Sequence, residues 1–326
     1  MSLFSRDIAA VLVIAMVAGV GGTFLSEGSQ HFVAQIMILG MFASAFDLAY
    51  GRTGIFSIGH AAFFGGGAYA YALLSLKAGL GFFPSLAGAI LIGGALATLF
   101  GLLAIRATGI YFALSTLAMG QLFSVLVEIK FRGLSGGADG IAGVPRPDFF
   151  GLDFGVTRNY LWLICIAFAI VLTLLALIRR SPYGQTLLAV RENPVRAEQL
   201  GYSVHFYRVT AFAISGAFSG LAGALFGSLT MFVGPDMLRW MNSGDVLIMT
   251  ILGGPGSLLG PLLGVAIFET AREVISRYTQ HWLGFVGALF IVVTLFAPTG
   301  LVGLWSTLRR AVSSRRAARP TSSDRQ

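Results

Sequence analysis

Cysteine is nearly absent from this sequence: Cys165 is the only one, and it lies inside an apolar run. A lone thiol supports neither a disulfide framework nor a thiolate metal site, so packing has to hold the fold. Charge is scarce as well. Asp, Glu, Lys and Arg together make 11% of the residues, less than half the roughly 25% usual in soluble domains. Water is therefore not the main solvent of this chain. Lysine is confined to Lys77 and Lys130, and no Gly-x-x-x-x-Gly-Lys-Ser/Thr loop occurs, which removes that route to nucleotide binding. The histidines, His31, His60, His205 and His281, are scattered and form no His-Glu-x-x-His pair, the helical spacing that a zinc protease requires. No catalytic residue, metal ligand or cofactor is expected in the chain itself.

What the sequence has instead is apolar length. A helix crossing about 30 Å of hydrocarbon needs roughly 20 apolar residues. Uncharged runs of that order span 8–25, 53–76, 78–105, 107–127, 161–178, 209–235, 246–268 and 282–308, and 28–46 makes a weaker one that Asp47 cuts short. The first run is read as a retained span, because Phe24-Leu25-Ser26-Glu27-Gly28 after it lacks a small-x-small cleavage site. Nearly the whole chain, 1–308, is thus membrane domain, and 309–326 is a basic, disordered tail.

Orientation follows from arginine, which accumulates on the cytoplasmic side. Arg179, Arg180, Arg191, Arg196 and Arg208 form one basic segment, and Arg309, Arg310, Arg315, Arg316, Arg319 and Arg325 the other. If both are cytoplasmic, the runs between them must make an even number of crossings, so one run splits or fails to cross. In 246–268 the string Gly253-Gly254-Pro255-Gly256 interrupts the pattern, because proline removes a donor and glycine adds freedom. The expected fold is all-α: a polytopic transmembrane helical bundle of about 8–10 segments with both termini cytoplasmic. The net charge of +8 then needs no nucleic acid, since anionic lipid and a cytoplasmic partner account for it. The glycine- and proline-rich stretch 131–158 reads as an irregular external loop.

On the cytoplasmic side, Asn193-Pro194 has the form of an N-cap and first turn, and Gly201 that of a C-terminal stop. Together they mark a helix of about seven residues. A helix so short is not stable alone, so it must pack either into a groove of another protein or on the membrane surface. Val195 and Leu200 would supply the apolar contacts, with Arg196, Glu198 and Gln199 polar.

Three separated motifs carry a family resemblance. Gly54-Ile55-Phe56-Ser57-Ile58-Gly59-His60-Ala61-Ala62-Phe63-Phe64-Gly65-Gly66-Gly67-Ala68-Tyr69, then Arg191-Glu192-Asn193-Pro194-Val195-Arg196-Ala197-Glu198, then Ile251-Leu252-Gly253-Gly254-Pro255-Gly256-Ser257 appear in order. The chain resembles the LivM-type permease subunits of branched-chain amino acid ABC importers over about 35–305. The resemblance implies a permease in the bacterial inner membrane, paired with a LivH-type second permease, two cytoplasmic ATPase subunits that bind the ATP, and a periplasmic substrate-binding protein. It places the ATPase-coupling helix on Asn193 to Gly201, so that Arg191, Glu192, Asn193, Pro194, Val195, Arg196, Ala197, Glu198, Leu200 and Gly201 form the coupling segment. Systems for urea, short-chain amides and aromatic acids resemble the same family, and the lumen by itself does not choose among these substrates.

The glycine-rich segments 54–67 and 253–264 are the candidates for the path, with Ser57, Gly59, His60, Gly65, Gly254, Gly256 and Ser257, because broken and closely packed helices surround transporter sites. Close helix packing and, for His60, a structural hydrogen bond are the competing readings. Asp47, Glu128, Asp245 and Glu269 fall near segment ends by this topology and would orient helices or line vestibules. An ion-coupled secondary transporter would need ionisable pairs deep in the membrane, and an intramembrane enzyme a nucleophile with its base; neither set stands out.

Overall fold

The computed structural model of the chain describes residues 3–104, 106–149, 152–279 and, beyond these, 281, 284, 285, 287, 288, 291, 295 and 300–303. Its helices are α1 (Leu3–Gly22), α2 (Glu27–Thr53), α3 (His60–Leu76), α4 (Phe82–Ala104) and α5 (Ile110–Val125), the last continued by a π-helical turn over Leu126–Lys130. The short α6 (Arg132–Ser135) follows, then β1 (Ile141–Ala142), β2 (Asp148–Phe149) and β3 (Leu152–Asp153). After them come α7 (Thr157–Arg180), α8 (Pro182–Glu192), α9 (Pro194–Gln199), α10 (Val204–Thr230), β4 (Phe232–Val233), α11 (Trp240–Gly253) and α12 (Gly260–Ser276). The result is an all-α polytopic bundle.

Among the described residues, five helical stretches are long and apolar enough to cross a membrane: Glu27–Thr53, Phe82–Ala104, Ile110–Lys130, Thr157–Arg180 and Val204–Thr230. Helix α7 shows why they suit lipid. Tyr160, Ile164, Phe168, Val171 and Leu175 are buried at helical spacing, while Ile166, Ile170, Leu174 and Leu177 on the opposite face are exposed and equally apolar. A helix apolar all round, with its backbone donors and acceptors satisfied internally, belongs in hydrocarbon.

Two runs differ from their expected form, and a third takes the form expected of it. Run 53–76 opens with non-helical residues, and α3 starts only at His60. Run 246–268 is divided as expected, with α11 and α12 on either side of a break at residues 254–259. Asp47 does not end the weak run: α2 passes through it to Thr53, because the carboxylate meets Arg179 of α7 at 2.7 Å. Run 282–308 lies largely, and the tail 309–326 wholly, outside the described residues.

At the centre, α10 packs against α2, α3 and α4. It can approach them closely because Ser215, Ser219, Gly223 and Gly227 recur every four residues, beside Gly216 and Gly220, so small side chains form its contact face. A Cβ on Gly220 would stand 2.5 Å from the Ala89 carbonyl oxygen of α4, and one on Gly93 the same distance from the Gly216 carbonyl. The helices therefore touch backbone to backbone. The stretch after α6 is pinned rather than loose: β1 pairs antiparallel with β4, Ile141 opposite Val233. Arg146 donates to the carbonyls of Gly155 (2.9 Å) and Leu229 (3.0 Å).

Replacing Gly220 by leucine should wedge α4 from α10 and lower stability by about 1–3 kcal/mol, the usual cost of overpacking. Gly21→Ala, where an added Cβ meets nothing, should leave stability equal or slightly raised. Thermal unfolding of the detergent-solubilised chain, followed by size-exclusion of the surviving fraction, measures both.

Candidate functional site

The short helix α9 is closed at both ends by its own sequence. The Asn193 side-chain oxygen accepts from the Arg196 N–H at 3.0 Å, and Pro194 occupies the first turn, where a missing donor costs nothing. At the other end Gly201 takes φ +88°, so that its N–H reaches Glu198 O (2.9 Å) and the Tyr202 N–H reaches Ala197 O (3.1 Å). This crossed pair is the Schellman stop. Ala197 is the buried residue of α9 and sits against Val190, Val204 and Tyr207. Val195 and Leu200 are 65% and 71% exposed, so the apolar contacts expected of them are not made within this chain. Glu192, Asn193, Arg196 and Glu198 are exposed beside them.

Helix α8, absent from the expectations above, leads into α9. Its start repeats the same chemistry: the Ser181 hydroxyl accepts from the Gly184 N–H at 3.2 Å, with Pro182 in the first turn. From the last turn of α8, Arg191 donates to the Gly51 carbonyl near the end of α2. One turn earlier on α2, the Asp47 carboxylate, 0% exposed, accepts from Arg179 at 2.7 Å and from the Gly256 N–H at 2.8 and 3.1 Å. Gly256 lies in the break between α11 and α12 at φ +82°, where a side chain would be strained. Ser257 steadies the break: its hydroxyl donates to Gly254 O (3.0 Å) and accepts from the Gly260 N–H (2.9 Å). Asp7 of α1 pairs with Arg180 at this same end.

One joint therefore collects the ends of α2, α7 and α8 and the broken pair α11–α12. Gly51 makes it possible, since a Cβ there would stand 2.5 Å from the Gly256 nitrogen. The joint tolerates little loss, because a buried ion pair deprived of one partner strands the other, at a cost of about 3–5 kcal/mol.

The residues proposed for a path fall into two groups. Gly254, Gly256 and Ser257 are at the break, and the last two line a crevice of about 330 Å³ together with Arg52 and Arg179. Ser57, Gly59, His60 and Gly65 lie inside helix packing. Ser57 accepts from the Gly59 N–H at 3.2 Å, a Cβ on Gly59 would be 2.5 Å from Thr116 O, and one on Gly65 2.5 Å from Leu238. His60 is fully buried, with Nε2 3.0 Å from the Ser215 hydroxyl, which itself donates to Ala45 O at 2.6 Å. The rings of Phe46, Phe63 and Phe212 stand edge-on around it at 4.7–5.2 Å.

The string Gly133-Leu134-Ser135-Gly136-Gly137 has the spacing of a hydrolase nucleophile turn. It is not built as one: Ser135 ends a four-residue helix, and its hydroxyl is engaged by the Val127 carbonyl at 2.6 Å. Among the described residues no cluster of His, Cys, Asp and Glu could hold a metal ion.

Comparison with known proteins gives a consistent result. A family model described as branched-chain amino acid transport system, permease component, matches residues 28–294. The chain is similar to the high-affinity branched-chain amino acid transport system permease protein LivM of Escherichia coli K12, 30% identical over 89% of this chain and 74% of that one. The LivM of Salmonella typhimurium matches with the same identity and coverage. The E. coli permease LivH is 28% identical over 49% of this chain and 52% of its own length. No solved structure matches.

Asp47→Leu and Arg179→Leu should each destabilise the chain by about 3–5 kcal/mol, and the double variant by clearly less than either. A double-mutant cycle on thermal unfolding in detergent checks this. Additive losses would mean that the pair is not coupled.

Proposed function

Because this chain belongs to the family of permease components of branched-chain amino acid transport systems, we propose that it forms half of the membrane passage of an ATP-driven importer in the bacterial inner membrane. It is a multi-pass membrane protein, and its family is one of transport permeases. The passage would be completed by a LivH-type permease, a reading supported by the similarity of this chain to proteins of both names. ATP is bound and hydrolysed by two cytoplasmic subunits, and a periplasmic binding protein delivers the substrate. The names of the relatives point to branched-chain amino acids, and small neutral amino acids fit the same reading.

The observation that carries this proposal is α9. A six-residue helix capped at both ends, holding itself through Ala197 and turning Val195 and Leu200 outward, is preformed for a groove on a partner. It is also wired to the membrane helices, since Arg191 reaches Gly51 and the Asp47 joint lies one turn beyond. When the ATPases close on each other, α8 and α9 move with them. The displacement arrives where α2, α7 and the α11–α12 break meet. Helices tied at that point change their tilt together, and the passage opens to one side as it closes to the other. In this scheme His60 and the glycines of α3 and α10 keep the bundle rigid enough to transmit the motion.

Replacing Pro194 by glutamate together with Val195 by arginine should abolish leucine uptake in cells and co-purification of the ATPase subunits, while membrane insertion is retained. Uptake and assembly at wild-type levels in that variant would overturn the coupling role of α9. Uptake that follows an ion gradient and persists without ATP would overturn the ATP-driven reading.

A further inference from the structure

A cavity of about 340 Å³ opens between α2, α3, α10, α11 and α12. That is within the size range of small-molecule sites. Its wall is divided by chemistry. Leu39, Phe42, Phe64, Phe226, Val246 and Met249 make the apolar side, with the rings of Phe42 and Phe64 4.7 Å apart and those of Phe64 and Phe226 5.6 Å apart. Gln35, Asp236, Asn242, Asp245, Glu269 and Arg272 make the polar side, and Asp236 is paired with Arg239 at 3.0 Å. Glu269 is 2% exposed. Its Oε2 accepts from the Gln35 amide at 3.1 Å, whereas Oε1 has no hydrogen bond and stands 3.7 Å from Arg272 Nη1, too far for one. A buried carboxylate oxygen left unfilled at the edge of a cavity asks for a donor. The donor must be cationic or strongly polar, because Arg239 answers Asp236, whereas Asp245 adds a second negative charge beside Glu269 and Arg272 offsets only one of those two.

We propose that this cavity holds the amino acid in transit: the α-ammonium between Glu269 and Asp245, the α-carboxylate on Arg272, and an uncharged aliphatic side chain against Phe42, Phe64, Phe226 and Met249. The arrangement suits a zwitterion. An amine without the carboxylate would not engage Arg272, and an acid without the ammonium would face Glu269 with like charge. The apolar wall offers nothing to a charged or amide side chain, so the class is a neutral amino acid with a branched or aliphatic side chain. The site also lies where the joint can act on it. Asp245 belongs to α11 and Glu269 and Arg272 to α12, the two helices that meet at the Asp47-bound break. Glu269 stands nine residues beyond Gly260, about 14 Å along the helix. A tilt at the break parts the two carboxylates and releases the ammonium.

This inference rests on the transport reading above, and the test separates the two. In the complete transporter reconstituted in proteoliposomes, Leu39→Cys places a thiol in the cavity wall, the native Cys165 being buried. L-leucine should slow the reaction of that thiol with N-ethylmaleimide, while 3-methylbutylamine and 4-methylpentanoate, each lacking one charge, should not. Glu269→Gln and Arg272→Gln in the same background should lose the protection. Equal protection by both analogues, or none by leucine in a transporter that takes leucine up, overturns the cavity assignment even if the charge variants fail to fold. A wild-type transporter that takes up no amino acid overturns the transport reading instead.

Discussion

Asp47 sits fully buried in α2, and the fold is arranged around satisfying its carboxylate. In hydrocarbon or protein interior a lone carboxylate or guanidinium costs several kcal/mol, and only pairing with good geometry offsets it. Arg179 supplies the charge at 2.7 Å, and the Gly256 N–H donates to the same carboxylate at 2.8 and 3.1 Å from its two oxygens. Neither group is tolerable without the other, so α2 and α7 are fixed in register. The N–H comes from a chain break and not from a helix, whose interior donors are already engaged. The interruption of α11–α12 is therefore required by the ion pair as much as by its own glycines.

Around this joint the bundle is assembled with small residues. The face of α10 built from Ser215, Gly216, Ser219, Gly220 and Gly223 lets α3 and α4 touch its backbone, which is how helices associate in a solvent that gives no hydrophobic drive. Such contacts are stiff, because a gap or an added methyl is felt at once. Helices α2, α3, α4 and α10 thus form one closely packed body beside a broken, shorter α11–α12 pair. The short α9 is attached to the closely packed body at two points, through α8 to Gly51 and through Ala197 to the start of α10.

The parts legible in the sequence were those with local causes. Capping fixed α9 from Asn193, Pro194 and Gly201, because each of these acts on backbone groups within four residues of itself. The same signal, Ser181-Pro182, stands at the start of α8, where the Ser181 hydroxyl accepts from the Gly184 N–H. Proline and glycine located the break at 254–259 for equally local reasons. Asp47 was misread as the end of a run, because its partner Arg179 is 132 residues away and a charge looks the same in sequence whether solvated or paired. His60 and Ser57 are polar groups among glycines, and both are buried, His60 against Ser215 and Ser57 accepting from the Gly59 N–H. The aromatic wall of the cavity gave no signal at all: Phe42, Phe64 and Phe226 come from three helices and are ordinary lipid-type residues in each.

The sequence by itself therefore determined that the chain lives in a membrane, is helical, and carries a short capped helix and a glycine break. Each of these follows from composition or from contacts within one helical turn. Only the tertiary structure decided that Asp47, Arg179, Gly256 and Arg191 form one joint, and that Asp245, Glu269 and Arg272 face three phenylalanines across a cavity. Those groups meet through the packing of separate helices, and nothing local to any one of them encodes which partner it will find.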